Sequence, residues 1–224
     1  MLSVSSFYTK RVPCAICQSR RPKRFCPGVG GDICSVCCGT ERESTVTCPF
    51  ECEYLQDARK HEKPAALDSN TLPNRDIRVT EKLIQEHGEL ITFLAAVWFE
   101  AASTTPGVCD YDVRDALDAL IRTYRTLQAG LYYETRAVNA VAQQLNSFVQ
   151  KGLEQFRKEE QHMSGLPKTR DSDVLALLVF FQHLELDRNN GRRRGRAFID
   201  LLRRLAQPTP GESLEAPASA LVQL

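Results

Sequence analysis

The chain of 224 residues contains 29 basic and 28 acidic residues, so its formal charge at neutral pH is only +1. This balance argues against a broadly basic surface for nucleic acid. The longest apolar runs, ITFLAAVWF and VLALLVFF, have nine and eight residues, far fewer than the roughly 20 needed to cross a bilayer. We therefore expect a cytoplasmic, mainly α-helical protein without a membrane partner.

Cysteine dominates the N-terminal part of the chain. Eight of the nine cysteines lie between residues 14 and 52. Two CxxC pairs are separated by sixteen residues, a spacing typical of a zinc site in which each pair turns two thiolates toward one tetrahedral ion. We assign this first site to Cys14, Cys17, Cys34 and Cys37. We assign a second zinc site to Cys26, Cys38, Cys48 and Cys52. Adjacent residues rarely point at one ion, so Cys37 and Cys38 are given to different sites, although the two could be exchanged.

Disulfides and redox chemistry are the alternatives to bound metal. The opening MLSVSSFYTKR lacks the apolar core of a signal peptide, so nothing indicates an oxidising compartment. A pair of cysteines poised for redox exchange does not need six neighbouring cysteines. Four thiolates leave zinc no open position, so both ions should be structural. Apolar residues are sparse from position 12 to position 55, so metal binding would have to supply much of the folding energy.

The order of the cysteines resembles a known kind of zinc module. CAIC, then Cys26-Pro, then ICSVCC is similar to the HIT-type and related treble-clef interleaved zinc fingers, in which alternate ligand pairs build two sites. The resemblance covers about the first 50 residues. It departs from the pattern at Val29, where a CxxC partner for Cys26 is missing, and at Cys48-x3-Cys52, which stands in place of a histidine. The resemblance implies a protein-interaction module.

A second resemblance covers the end of the cysteine cluster. CCGTERE followed by CPFECEYL is similar to the N-terminal segment of uncharacterised bacterial proteins that combine such a cluster with helices. Pro49 suits the first position of a helix, which would place two thiolates at a helix start. On that helix His61 lies nine residues beyond Cys52, roughly 13 Å away on the opposite face. We interpret it as a surface residue rather than a ligand. Residues 1–62 are thus predicted to form a two-zinc module that ends in a helix.

Two clusters of basic residues are candidate anion contacts. One lies between Cys17 and Cys26 and contains Arg20, Arg21, Lys23 and Arg24. The other occupies a connector between two predicted helices and contains Arg192, Arg193, Arg194 and Arg196. Guanidinium groups suit phosphate and carboxylate, and helix amides after Gly195 could add donors. However, two zinc ions with eight thiolates leave the module near a charge of −1, and no aromatic residue is interleaved with the second cluster for base stacking.

The rest of the chain has helical periodicity. Residues 63–75 contain prolines and turn formers and are predicted to be a linker. Residues 76–206 are predicted to form an all-helical bundle, and residues 207–224, rich in Pro, Ala and Ser, to be disordered. The first helix should run from Leu83 to Ala101, with Gly88 as a weak point.

Four further helices are predicted. The second carries Val113 to Leu127, is capped by Asp110 or Asp112 and ends at Gly130. The third runs from about Tyr133 to His162. The fourth opens at Asp171–Asp173 and stops at Asn189–Gly191, and the fifth spans Phe198–Leu205.

The helical part contains no complete catalytic constellation. Glu159 and His162 have the spacing of a di-iron motif but lack the second motif that such a bundle requires. His87 lies on an apolar stripe and is interpreted as a neutral, hydrogen-bonded core histidine. The sequence places no nucleophile near His183, and Cys109 is typical of inert packing. We expect a non-enzymatic zinc-binding protein that binds another protein. The alternative is a nucleic-acid-binding protein that uses the two basic clusters.

Overall fold

The fold is known from a computed structural model, which describes residues 12–62, 72–166 and 168–207. The prediction of a mainly α-helical protein is confirmed. Contacts divide the chain into two units, with the boundary after His61. Within the described ranges, no helix is long and apolar enough to span a membrane. Most of the predicted linker, 63–71, and all but the first residue of the predicted tail, 208–224, lie outside the described residues.

The first unit is a small cysteine module. It contains strands β1 (Arg24–Cys26) and β2 (Gly31–Ile33) and helices α1 (Ser35–Glu41) and α2 (Glu53–His61). The strands are antiparallel, with Phe25 opposite Asp32. Gly30 has a φ of +70° in the turn between them, a left-handed conformation that favours glycine. The two strands are an addition to the helical structure that the sequence predicted.

The prediction that Pro49 begins a helix is wrong. Pro49 lies in a turn, where its carbonyl accepts a hydrogen bond from the Cys52 amide at 3.1 Å. Helix α2 begins only at Glu53. Cys48 and Cys52 are therefore placed by a turn that precedes the helix. His61 is the exposed last residue of α2.

The second unit consists of packed helices. They are α3 (Glu81–Glu86), α4 (Gly88–Thr104), α5 (Asp110–Gln128), α6 (Ala140–Ser164), α7 (Asp171–Arg188) and α8 (Ala197–Ala206). Helix α4 packs on α6 and α8, and α5 packs on α6 and α7. Every residue of α7 from Val174 to Glu185 is buried, so α7 is the central helix of this unit. Trp98, Phe181 and Phe198 are among the largest fully buried side chains.

Two of the predicted helices have different bounds. The first is divided at His87, whose φ of −112° and ψ of 25° depart from helical values; the weak helix former Gly88 then starts α4. The third begins at Ala140, not near Tyr133. Here the Asn139 side chain caps the helix by accepting from the Ala142 amide at 2.8 Å, and this local hydrogen bond ends the extended segment before it.

The last residues of the predicted linker are anchored to the helices. The Asn74 amide group donates to the Gln182 side chain at 2.7 Å. Arg125 of α5 donates to both carboxylate oxygens of Asp76, at 2.7 and 2.8 Å. His183 of α7, which the sequence left without a partner, lies 2.8 Å from the Pro73 carbonyl. Residues 73–76 thus belong structurally to the helical unit.

Candidate metal centre

Four cysteines of the module bring their sulfur atoms together. The Sγ atoms of Cys14, Cys17, Cys34 and Cys37 all lie within 4.8 Å of one another. A tetrahedral zinc ion with Zn–S bonds of about 2.3 Å separates its sulfurs by about 3.8 Å, so small shifts would complete the coordination. This is the set that the CxxC spacing predicted, and the arrangement fits a bound metal ion.

Local backbone structure positions these sulfurs. The Gln18 amide donates to the Cys14 carbonyl at 2.8 Å, and the Ala15 amide donates to the Asp32 carbonyl of β2 at 2.9 Å. Cys34 precedes α1, and its sulfur accepts from the Cys37 amide at 3.4 Å. The Cys34 amide in turn donates to the Cys14 sulfur at 3.3 Å. The hairpin and the first turn of α1 therefore hold the two CxxC pairs face to face.

The protonation of these thiols also favours metal binding. Burial raises the pKa of Cys14, but amide donors, among them Cys34, outweigh burial and bring the pKa below its usual value. The Ser19 hydroxyl and nearby amides lower the pKa of Cys17 to about 5. Burial and the neighbouring sulfurs raise the pKa of Cys37 to about 12. A divalent cation bound here would displace the proton that the high pKa of Cys37 retains.

The other four clustered cysteines line one cavity of the module. Cys26, Cys38, Cys48 and Cys52 share its wall with Ile33, Cys37, Arg42, Val46 and Leu55. Its volume of about 20 Å³ has room for one water-sized occupant. In the part of the chain that the structure describes, only the first set of sulfurs is gathered within 4.8 Å. The four cysteines of the second set thus line one cavity, but their sulfur atoms lie farther apart than those of the first set.

The adjacent residues Cys37 and Cys38 place their sulfurs differently, and only Cys37 of the two belongs to the first set. The Cys37 sulfur belongs to the tight group. The Cys38 sulfur lies 3.8 Å from Nη1 of Arg24 and 4.0 Å from Nη2 of Arg42. Because consecutive residues of α1 project in different directions, this short helix contributes Cys37 to the tight sulfur group and Cys38 to the wall of the cavity.

The first basic cluster is partly engaged inside the module. The Arg20 guanidinium is hydrogen-bonded to the Cys34 sulfur, which raises the Arg20 pKa. Arg24 lies over the Tyr54 ring at 3.7 Å and contacts the Cys38 sulfur. Arg21 and Lys23 are exposed. Two of the four residues predicted as anion contacts therefore have sulfur partners within the chain.

The second basic cluster lies in the connector between α7 and α8. Arg193 and Arg194 are exposed, whereas Arg192 and Arg196 are half-buried. The helix amides after Gly195, which could have added donors for an external anion, include two that donate within the chain. The buried carboxylate of Asp110 accepts from the amides of Phe198 and Ile199, at 3.0 and 3.1 Å.

Asp110 and Glu43 are buried carboxylates whose roles the sequence did not reveal. Asp112, and not Asp110, completes the capping of α5 by accepting from the Cys109 amide at 3.0 Å. Asp110 instead joins the start of α5 to the start of α8. Glu43 is fully buried and pairs with Arg59 of α2 at 2.7 Å. An isolated charged residue carries no sequence pattern that would distinguish a buried position from a surface position.

The side chains considered for catalysis lie at separate positions in the helical unit, some buried and some exposed. Burial raises the pKa of Cys109 to about 11, which disfavours the nucleophilic thiolate. Burial lowers the pKa of His183. His87 lies 4.0 Å from the Asp173 carboxylate and is half-buried where two helices meet. Glu159 and His162 are both exposed on α6.

Comparison with known proteins gave no relatives. No family model matches the chain, and no match was found among curated proteins or among solved structures. The four sulfurs of Cys14, Cys17, Cys34 and Cys37 form a site that is able to hold a metal ion.

Proposed function

We propose that this protein is a non-enzymatic zinc-binding adaptor, in which two structural zinc ions fold the module and the helical unit binds another protein. The observation that supports zinc most directly is the all-sulfur donor set of the first site. Tetrahedral sulfur coordination is typical of zinc, and four protein ligands leave no position for substrate or catalytic water. This chemistry supports a structural role for an ion at the first site.

The composition of the module core supports structural metal. Its buried cluster consists of Ile33 and the four cysteines 14, 26, 34 and 37. Free thiols contribute little apolar area, and a unit of this size buries too little surface to be stable without added links. Metal bonds to the cysteines would supply those links.

The second zinc ion is proposed for the cavity lined by Cys26, Cys38, Cys48 and Cys52. These residues come from β1, from α1 and from the turn before α2. An ion there would join the C-terminal half of the module to the hairpin. The two sites would then be interleaved along the chain, because Cys26 lies between the two CxxC pairs.

Zinc content tests this part of the proposal. We expect about two zinc ions per chain by elemental mass spectrometry, one in Cys37→Ser and one in Cys38→Ser. Cys109→Ser is the matched control, since Cys109 lies in the helical unit, and it should retain two. One ion in the wild type would restrict the proposal to the first site, and none would refute it.

A partner protein is supported by an exposed segment, residues 131–138, which we call the aromatic strap. Tyr132 and Tyr133 are 89% and 67% exposed, and Leu131 and Val138 are also exposed. Tyrosine is enriched at the energetic centres of protein interfaces, where its ring packs and its hydroxyl finds a polar partner. These exposed apolar residues are close together in the chain, which distinguishes them from scattered surface residues.

The backbone of the aromatic strap is held in place. The Thr126 hydroxyl donates to the Tyr133 carbonyl at 3.0 Å, and the Thr135 amide donates to the Thr123 hydroxyl at 2.9 Å. The Ala137 amide donates to the Gln143 side chain at 2.8 Å. A pre-ordered segment loses less conformational entropy on binding than a free loop, so the strap is suited to recognition.

Affinity capture with cross-linking tests the partner. We expect the variant Tyr132→Ala with Tyr133→Ala to lose a partner that the wild type captures. Met163→Ala with Leu166→Ala is the matched control, because both residues are exposed and apolar but lie beyond the strap. Salt-sensitive binding of RNA or DNA, abolished when Arg192, Arg193, Arg194 and Arg196 are changed to Ala, would instead favour a nucleic-acid-binding protein.

A further inference from the structure

Arg24 occupies an unusual position in the cysteine module. Side chains at alternate positions of a strand share a face, so Arg24 and Cys26 of β1 point to the same side, and Phe25, between them, is 61% exposed. The face that carries Arg24 is therefore the face that lines the cavity of the second cysteine set.

The Arg24 guanidinium touches two other elements of that cavity. Its Nη1 lies 3.8 Å from the Cys38 sulfur of α1. Its central carbon lies 3.7 Å from the centre of the Tyr54 ring of α2, close enough for a cation–π contact. Tyr54 follows Cys52 by two residues, so one side chain connects the elements that carry Cys26, Cys38 and Cys52.

The charge of Arg24 has no carboxylate partner within the described ranges. Its Nε is buried without a hydrogen-bond acceptor, and the residue is half-buried. A guanidinium removed from water needs an anion or a full set of acceptors. The Cys38 sulfur is an acceptor that the structure places beside this guanidinium.

We infer that Arg24 is a positioning residue of the second metal centre: its guanidinium donates to the Cys38 sulfur and fixes the place of that sulfur, and through the Tyr54 ring it holds the start of α2 beside Cys52. Arg42 adds a second guanidinium at 4.0 Å from the same sulfur. Two arginines offset the charge of −2 that zinc with four thiolates carries. This inference rests on the second zinc ion of the proposed function.

Zinc affinity of the full chain, measured by competition with a chromophoric chelator, tests this role. Groups that hydrogen-bond metal ligands typically change metal affinity by about 10- to 100-fold when removed. We expect Arg24→Gln to weaken the second zinc ion by this factor and to leave the first unchanged. Arg21→Gln is the matched control: it removes the same charge from the same cluster, and Arg21 is exposed. It should change neither affinity.

Two further variants separate charge from stacking. Arg24→Lys keeps the charge but loses the planar group that covers Tyr54, so we expect a loss smaller than that of Arg24→Gln. Tyr54→Leu should weaken the second ion without changing the first. If Arg24→Gln does not fold, Arg24→Lys is the deciding variant, and wild-type affinity in it would overturn the positioning role.

The possible results distinguish this inference from the proposed function. Two zinc ions in the wild type and equal affinities in Arg24→Gln and Arg21→Gln would overturn the role of Arg24 alone. A single zinc ion in the wild type, with no change in Cys38→Ser, would overturn the role of Arg24 and restrict the proposed function to the first site. As a separate readout, cobalt in the second site should show a thiolate absorption band that shifts in Arg24→Gln and is unaffected in Arg21→Gln.

Discussion

The cysteine module and the helical unit differ in what fills their cores. Five cysteines are among the buried residues of the module, with Ile33, Phe50 and Leu55. In the described part of the helical unit, aliphatic and aromatic side chains are buried along helices α4 to α8. The first core is built largely of cysteines, four of which form a group that could hold a metal ion, whereas the second follows from the hydrophobic effect. The two units should therefore respond differently to the removal of metal.

Removing the metal should produce the largest difference between the units. We expect a strong chelator to unfold residues 12–62 and to leave the helices of residues 72–207 intact, because structural zinc contributes on the order of 10–16 kcal/mol. Amide chemical shifts before and after chelation measure both units at once. Unchanged shifts in the module would contradict its dependence on metal.

An ion pair between Arg114 and Glu185 should contribute strongly to the stability of the helical unit. Arg114 of α5 donates to both oxygens of the buried Glu185 at 2.6 and 3.1 Å. Arg114→Ala should lower the free energy of unfolding by about 3–5 kcal/mol, because it leaves a buried carboxylate without its cation. Urea unfolding of the helical transition measures this. Arg122→Ala, an exposed arginine on the same helix, should change stability by about 0.5 kcal/mol or less.

The pH dependence of that variant follows from the pKa of Glu185, which burial raises although Arg114 opposes it. A carboxyl group whose pKa is higher in the folded state stabilises the fold as pH falls through that pKa. The destabilisation of Arg114→Ala relative to Arg122→Ala should therefore shrink in acid. A difference independent of pH would contradict an ionised Glu185.

Asp110 connects two helices through backbone amides, and its loss should have a smaller effect. Asp110→Asn removes the charge that favours the start of α8 and one of two acceptor oxygens. We expect a loss of about 1–2 kcal/mol in the free energy of unfolding. Glu100→Gln, at an exposed carboxyl on α4, is the control. Equal stability of the two variants would show that the amides of α8 do not need Asp110.

Two glycines provide the finest comparison. A Cβ added to Gly152 of α6 would lie 2.9 Å from a methyl group of the buried Val97. A Cβ added to Gly88 would have no neighbouring atom within 4 Å. Gly152→Ala should destabilise by about 1–3 kcal/mol through overpacking. Gly88→Ala should stabilise by up to about 1 kcal/mol, since it strengthens the start of α4. Thermal unfolding measures both, and the same sign for both would contradict the close packing of α4 on α6.

Much of the helical unit was predictable because periodic apolar residues mark a buried face. The bounds of α7 and α8 follow the stripes of Val174 to Leu184 and Phe198 to Leu205. The start of α6 was not predictable in this way. Thr123 and Thr126, on another helix, hold the strap before it in an extended form, and such contacts leave no periodic signal.

In the module, spacing alone identified the first four-sulfur group, since a CxxC turn needs only local geometry. The partners of the arginines were not identified. Arg20 and Arg24 belong to a basic run that is also typical of an anion-binding loop. Only the folded hairpin brings one beside Cys34 and the other beside Cys38 and Tyr54.

The sequence by itself determined the helical class of this protein and the cysteines of its tight sulfur group, because both depend on short-range patterns of a few residues. The tertiary structure decided the surroundings of Asp110, Glu185 and Arg24. Each of these charged side chains is paired with atoms far along the chain, and only folding brings such partners together. From the sequence alone each of these charged residues would be assigned to the surface, whereas in the fold each makes a structural contact.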